Sequence, residues 1–206
     1  MLHLSTIDTT TLELLKSLML HKDFSNLRLV GGTALALQIG HRKSIDLDLF
    51  GEIQFENLDN PETFKNYGEI ITLSKSKNIN IFSIDGIKVD FVNYSYPWLQ
   101  NHLNNDGIRL AHIEDIAAMK LAVVTGRGSR KDFIDLFFLM QKYSLSEMLG
   151  FYKRKYFDGS EYLLLKSLTY FDDAENDIQV TDILKTPWGT IKSHIQKAVA
   201  GYLDKT

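Results

Sequence analysis

Residues 29–50 read LVGGTALALQIGHRKSIDLDLF. Two glycines and a threonine follow a short apolar run, and the stretch closes on Asp46 and Asp48, one residue apart. SIDLDLF (44–50) alternates as a half-buried strand does, and LRLV (27–30) reads as another short strand. TALALQI between them has helical character, so the predicted order is strand, Gly-Gly-Thr turn, helix, strand. On a strand, side chains at i and i+2 share a face with Cα atoms about 6.6 Å apart. Asp46 and Asp48 therefore share one face, and Ile45, Leu47 and Leu49 fill the other. Aspartate is depleted in strands, and two on one face repel. A hard divalent cation, which prefers carboxylate and phosphate oxygens, would reconcile them.

Asp90 in KVDFV (88–92) repeats the arrangement, with Val89 and Phe91 facing inward. If that strand lies beside the first, three carboxylates converge. Such a set can hold two metal ions about 3.5–4 Å apart and clamp a phosphoryl transfer. The Gly31-Gly32-Thr33 turn lets backbone approach a phosphate, and a helix starting at Thr33 would offer free N–H groups to an anion. Solvated aspartates and a plain turn are the structural alternatives.

The rest of the chain bounds these readings. Its 206 residues suffice for one large domain or two small ones, and 44% hydrophobic with 24% charged residues is an ordinary globular balance. A net charge of −3 argues against a strongly basic nucleic-acid binder, though not against a local basic patch. Without cysteine there is no disulfide, thiolate nucleophile or Cys-based zinc site, and the six histidines are scattered. TIDTTTLE (6–13) stands where a leader peptide would need apolar residues, and no run approaches the roughly 18 residues of a membrane span. The expectation is a cytoplasmic protein with no membrane partner.

TTLELLKSLML (10–20) is helical by spacing, and a helix is expected over 62–73. INIFSI (79–84), Asp85-Gly86 and IKVDFVNY (87–94) form the clearest hairpin, because both turn positions want positive φ. From about residue 110 the pattern turns helical, with candidates at 113–124, 131–143, 145–156, 160–171 and 188–203. The predicted units are an α/β core over 1–106 and a helical domain over 107–206 that closes the active-site cleft.

The order of strand, Gly-Gly-Thr turn, helix and Asp-x-Asp strand resembles the polymerase-β-like nucleotidyltransferase superfamily. GGTALALQIGHRKSIDLDLF (31–50), KVDFVNYSYPWL (88–99) and LAHIEDIAAMKLAVVTGRGSRKDFIDLFFL (110–139) resemble in particular the AbiEii/AbiGii-type nucleotidyltransferases, toxin halves of type IV toxin–antitoxin pairs. The resemblance implies an α+β fold: a mixed sheet with flanking helices, followed by a C-terminal helical bundle. It implies that Gly31, Gly32 and Thr33 contact the nucleotide phosphates, with Arg42 and Ser44 near the triphosphate. Asp46 and Asp48 would coordinate Mg2+, and Asp90 would be the third carboxylate, helping to activate the acceptor hydroxyl. Lys131, Asp132 and Asp135 match a downstream Lys-Asp-x-x-Asp motif. Phosphoryl transfer needs cations beside the metal, and Arg42, Lys120 and Lys131 are the suppliers at hand.

Each has a bland competitor. Ser129 and Asp132 have capping-box form, Lys131 and Asp135 have the i, i+4 spacing of an exposed ion pair, and Lys120 could snorkel from the edge of the core. TGRGSRK (125–131) and YKRKY (152–156) are either solvated cations or a surface that tracks RNA phosphates with tyrosines for stacking. The acidic FDDAEND (171–177) points away from nucleic acid there. The leading function is Mg2+-dependent transfer of a nucleotidyl group from an NTP to a hydroxyl on a tRNA 3′ end or a protein, by a toxin with a cognate antitoxin. The alternatives are a catalytically silent binding module of the same fold and, with only 45 residues before Asp46, a less favoured Asp-x-Asp glycosyltransferase.

Overall fold

The computed structural model describes residues 1–175, 177 and 185–205. The chain divides into two compact units. The first comprises Met1–Ile39, Ser44–Tyr96 and Asn101–Ala111. The second comprises Gly40–Lys43, Pro97–Gln100 and the chain from His112 onward.

In the first unit, α1 (Thr9–Leu20) starts at Asp8, whose carboxylate accepts from Thr11 N at 2.8 Å and Thr11 Oγ1 at 2.7 Å. That contact satisfies one orphan amide of the first turn. Next come β1 (Arg28–Leu29), α2 (Gly31–Ile39), β2 (Leu47–Gly51), the one-turn α3 (Pro61–Phe64) and β3 (Ile70–Lys75). They are followed by β4 (Ile79–Ile84), β5 (Ile87–Asn93), β6 (Leu103–Asn105) and β7 (Ile108–Leu110). The strands form a mixed sheet in the order β3-β4-β5-β2-β1-β7-β6. β2 runs parallel to β5, and β1 parallel to β7, while the other neighbours are antiparallel. Phe24, Phe64, Phe82 and Phe91 form the aromatic core on one face, with ring centroids 4.9 Å apart for Phe24–Phe91 and 5.5 Å for Phe64–Phe82. Arg109 ties this region together by donating to the carbonyls of Met19, Phe24 and Leu27, each at 2.9 Å.

Two local expectations are corrected, and one hairpin is added to those expected. The helix expected over 62–73 stops after one turn, and Ile70, Ile71 and Thr72 enter a strand, as β-branched residues favour. A second Asp-Gly hairpin joins β6 and β7, with Asp106 at φ 52° and Gly107 at φ 80°, matching Asp85 at 49° and Gly86 at 80° in the first. Ile45 does not join Leu47 and Leu49 inside: it is 62% exposed, because β2 begins only at Leu47.

The second unit holds α4 (Ile113–Gly126), α5 (Arg130–Met140), α6 (Leu145–Lys155), α7 (Glu161–Leu168), α8 (Asp172–Glu175) and α9 (Trp188–Leu203). Capping boxes open α5 at Ser129 and Asp132 and α6 at Ser144 and Glu147. Ile116, Leu121, Phe133, Leu136, Met148, Leu164, Ile191 and Ile195 are buried within it. Phe133 stacks against Phe171 at 4.8 Å. The molecule is thus an α+β protein with a mixed sheet, flanking helices and C-terminal helices. Among the described residues, no helix is long and apolar enough to cross a membrane.

Candidate active site

In the first unit the parallel pairing of β2 with β5 sets Leu47 beside Val89, Asp48 beside Asp90 and Leu49 beside Phe91. Leu47, Leu49, Val89 and Phe91 are buried, so the two aspartates share the opposite face on strands about 4.8 Å apart. Like charges placed directly opposite each other are destabilising. The fold tolerates this pair by bringing a cation to it: Lys88 Nζ lies 2.6 Å from Asp90 Oδ1 and 2.8 Å from Oδ2. Lys88 went unremarked in the sequence, although the Lys-x-Asp spacing on one strand already places it on that face.

Gly31 opens α2 at φ +68°, and a Cβ built there would lie 2.1 Å from Asp48 Oδ2. Glycine is required twice over, by the left-handed backbone and by the carboxylate against it. The amide of Val30 donates to the Asp48 carbonyl at 2.9 Å, locking the turn to β2. The helix therefore starts two residues earlier than Thr33, and its first-turn amides include those of Gly31 and Gly32. Thr33 is buried. Its hydroxyl lies 2.8 Å from Ser44 Oγ and donates to the Asp46 carbonyl, pinning the segment that leads into β2. Asp46, half-buried, immediately precedes that strand.

Among the described residues, no three His, Cys, Asp or Glu side chains form a ready-made metal cage. Mg2+ does not ask for one. It is typically held by one or two carboxylates, with substrate phosphates and water completing its shell. Two carboxylates in register, beside a glycine whose missing Cβ leaves room at Asp48, are a donor set of that kind.

The remaining expected site residues lie in the second unit, in a buried charge network. Arg42 grips Asp135 with Nε to Oδ1 at 2.6 Å and Nη2 to Oδ2 at 2.9 Å. Its Nη1 donates to the Lys43 carbonyl at 2.9 Å. Lys120 Nζ contacts Asp135 Oδ2 at 2.6 Å and Asp132 Oδ1 at 2.9 Å. Asp132 also accepts from the amide of Ser129, the N-cap of α5, at 3.3 Å, as the third-position partner in its capping box. His41 joins the network, its Nε2 donating to Asp135 Oδ1 at 2.6 Å, while its buried Nδ1 finds no hydrogen-bond partner among the described residues.

Burial alone would push both carboxyls up. For Asp135 the Lys120 ammonium and the Arg42 guanidinium outweigh burial and hold it well below the usual range. For Asp132 the Lys120 ammonium and the Ser129 hydrogen bond prevail, and its carboxyl is also lowered. Burial would lower Lys120, but Asp135 and Asp132 raise it. Lys120 thus does not snorkel; it is buried against Asp135 and Asp132. Asp135 is fully buried rather than half of an exposed pair with Lys131, which is half-buried in the first turn of α5.

The two basic stretches are partly spoken for. Arg130 donates to the carbonyls of Ala174 at 3.2 Å and Glu175 at 3.0 Å, and lies 4.9 Å from the Trp188 ring centroid. Lys155, fully buried, bonds Asp115 at 2.7 Å and the Pro97 carbonyl at 2.8 Å. Tyr152 is core rather than a stacking platform. Lys153 and Arg154 remain largely exposed, and Arg127 is exposed. Of the acidic 171–177 stretch, Asn176 lies outside the described residues.

Comparison with known proteins places the chain in a family. Residues 13–100 match the family described as nucleotidyl transferase AbiEii toxin, type IV TA system. The uncharacterized protein aq_aa25 of Aquifex aeolicus (strain VF5) is 38% identical over 182 residues, covering 85% of this chain and 87% of that protein. The crystal structure of JHP933 from Helicobacter pylori superposes with a TM-score of 0.65 at 18% identity, over 97% of this chain and 94% of that one. MenT4, a nucleotidyltransferase toxin from Mycobacterium tuberculosis H37Rv, gives a TM-score of 0.58 at 13% identity, over 92% of this chain and 83% of that one. At such identities the two structural likenesses are of fold.

Proposed function

We infer that this chain, which belongs to the AbiEii family of nucleotidyltransferase toxins, uses an NTP with Mg2+ and passes the nucleotidyl group to a hydroxyl on a tRNA 3′ end or a protein. It does so as the toxin half of a type IV toxin–antitoxin pair. The observation that carries this reading is the register of Asp48 with Asp90, beside a helix start that only glycine can form. In the reaction the acceptor oxygen bonds to the α-phosphorus, the bond from that phosphorus to the bridging oxygen breaks, and pyrophosphate leaves.

Asp46, Asp48 and Asp90 are the residues that would hold Mg2+, which when bound supplies neutralisation of the triphosphate. The chain's own residues do the rest. Gly31 and Gly32 present backbone amides to phosphate oxygens, where the positive end of the helix favours anions. Thr33 and Ser44 act one step back, holding the Asp46 backbone in place. Asp90 orients the acceptor hydroxyl and accepts its proton.

Incubating the purified protein with each α-labelled NTP, Mg2+ and total RNA tests this reading. Label is expected in RNA or in protein with the wild type and not with Asp48→Asn. A folded wild-type protein that labels neither, or an Asp48→Asn variant that labels as well as wild type, overturns it.

A further inference from the structure

Lys88 sits among the carboxylates with a geometry that constrains the order of binding. It shares a half-buried face of β5 with Asp90, two residues on, and lies within 2.8 Å of both carboxylate oxygens. Across the parallel pairing, Val89 lies beside Leu47 and Asp90 beside Asp48. Asp46 immediately precedes Leu47, just outside the paired residues. On the other side, β4 places Ser83 beside Lys88 and Ile81 beside Asp90, so that neighbour brings no charge. Lys88 is therefore a positive charge held against one of two carboxylates in register.

We propose that Lys88 is a built-in counter-ion that keeps a bare divalent cation out and admits one carried by a triphosphate. This inference rests on the carboxylate reading above. A free cation can reach Asp90 only by displacing the Lys88 ammonium, which leaves two positive centres on one face. A cation that arrives with a triphosphate brings an excess of negative charge, and the displaced ammonium then pairs with phosphate oxygen. Lys88 changes partner rather than losing one. Its side chain is 41% exposed and lies on a flexible stem, so the swing is sterically open.

The test is Mn2+ binding, read from the loss of the free-ion EPR signal, for wild type, Lys88→Met and Lys88→Arg. Each is measured with and without a non-hydrolysable NTP analogue. Without nucleotide, Lys88→Met is expected to bind Mn2+ roughly fivefold more tightly than wild type, the scale of a partly exposed ion pair. With the analogue the order reverses, and Lys88→Met binds the analogue more weakly. Lys88→Arg keeps the wild-type pattern, and circular dichroism confirms that each variant is folded. If wild type binds Mn2+ and Lys88→Met binds it no more tightly, the counter-ion role is overturned while the carboxylate reading stands. If no protein binds Mn2+ with or without the analogue, both fall.

Discussion

Arg42 and Asp135, 93 residues apart in the chain, form a two-pronged ion pair that is buried on both sides. Asp135 is also the meeting point of Lys120 and His41, so three polar side chains depend on this carboxylate, and Lys120 also on its neighbour Asp132. Such networks are costly to break, because removing one member leaves the others charged and without solvent. Asp135→Ala is expected to destabilise the fold by about 3–5 kcal/mol. Urea denaturation measures it, and a loss below about 1 kcal/mol would contradict a buried, fully engaged cluster.

The same network sets a pH dependence. Asp135 and Asp132 have folded pKa values below their ordinary ones, so their contribution is complete above the unfolded value near 4. It is lost as pH falls further, because the unfolded chain then binds protons that the folded one resists. Lys120 is shifted up, so its contribution is complete below about pH 10.4 and fades only as pH climbs beyond that. Urea midpoints taken from pH 7 down to pH 2 are expected to fall steeply below pH 4, and the slope should flatten in Asp135→Asn.

Gly31→Ala places a methyl group where Asp48 Oδ2 now sits and forces alanine into the left-handed region. The backbone term costs about 1–2 kcal/mol. Nucleotidyl transfer should fall far more than stability does, since the displaced group is the carboxylate itself. Parallel urea titration and label transfer distinguish the two losses.

Asp48→Asn is expected to separate activity from stability in opposite directions. Transfer should drop by at least about 100-fold, the scale of a lost electrostatic contact at a reacting centre. The melting temperature should stay level or rise, because removing one of two like charges in register relieves roughly 0.2–1 kcal/mol. A strong destabilisation would mean that Asp48 is structural.

Much of the sheet was legible in the sequence, for local reasons. Asp85-Gly86 declares its hairpin through two positive φ angles between long alternating strands. Asp106-Gly107 carries the same signal, but its strands are three residues each, too short for alternation to register. β3 hid for another reason: it is an edge strand, exposed along nearly its whole length, so no apolar period marks it. The carboxylates stood out because aspartate in a strand is unusual. Lys120 stood out because a lysine at core spacing is unusual. The partners it found, with Arg42 and His41 far behind it in sequence, depend on tertiary pairing that spacing does not reveal. Lys155 and Asp115, 40 residues apart, are the same case.

Gly40–Lys43 and Pro97–Gln100 belong with the helices although the chain on either side of each belongs with the sheet. Neither unit is therefore a contiguous stretch that scissors could release. A cut after Ala111 would keep His41 and Arg42 with the sheet fragment and discard the aspartate that neutralises them. It would also leave the Lys155 ammonium in the helical fragment without the Pro97 carbonyl it binds. The interleaving makes the protein poorly divisible: whatever shortens it at the natural-looking seam orphans buried charge on both sides of the break.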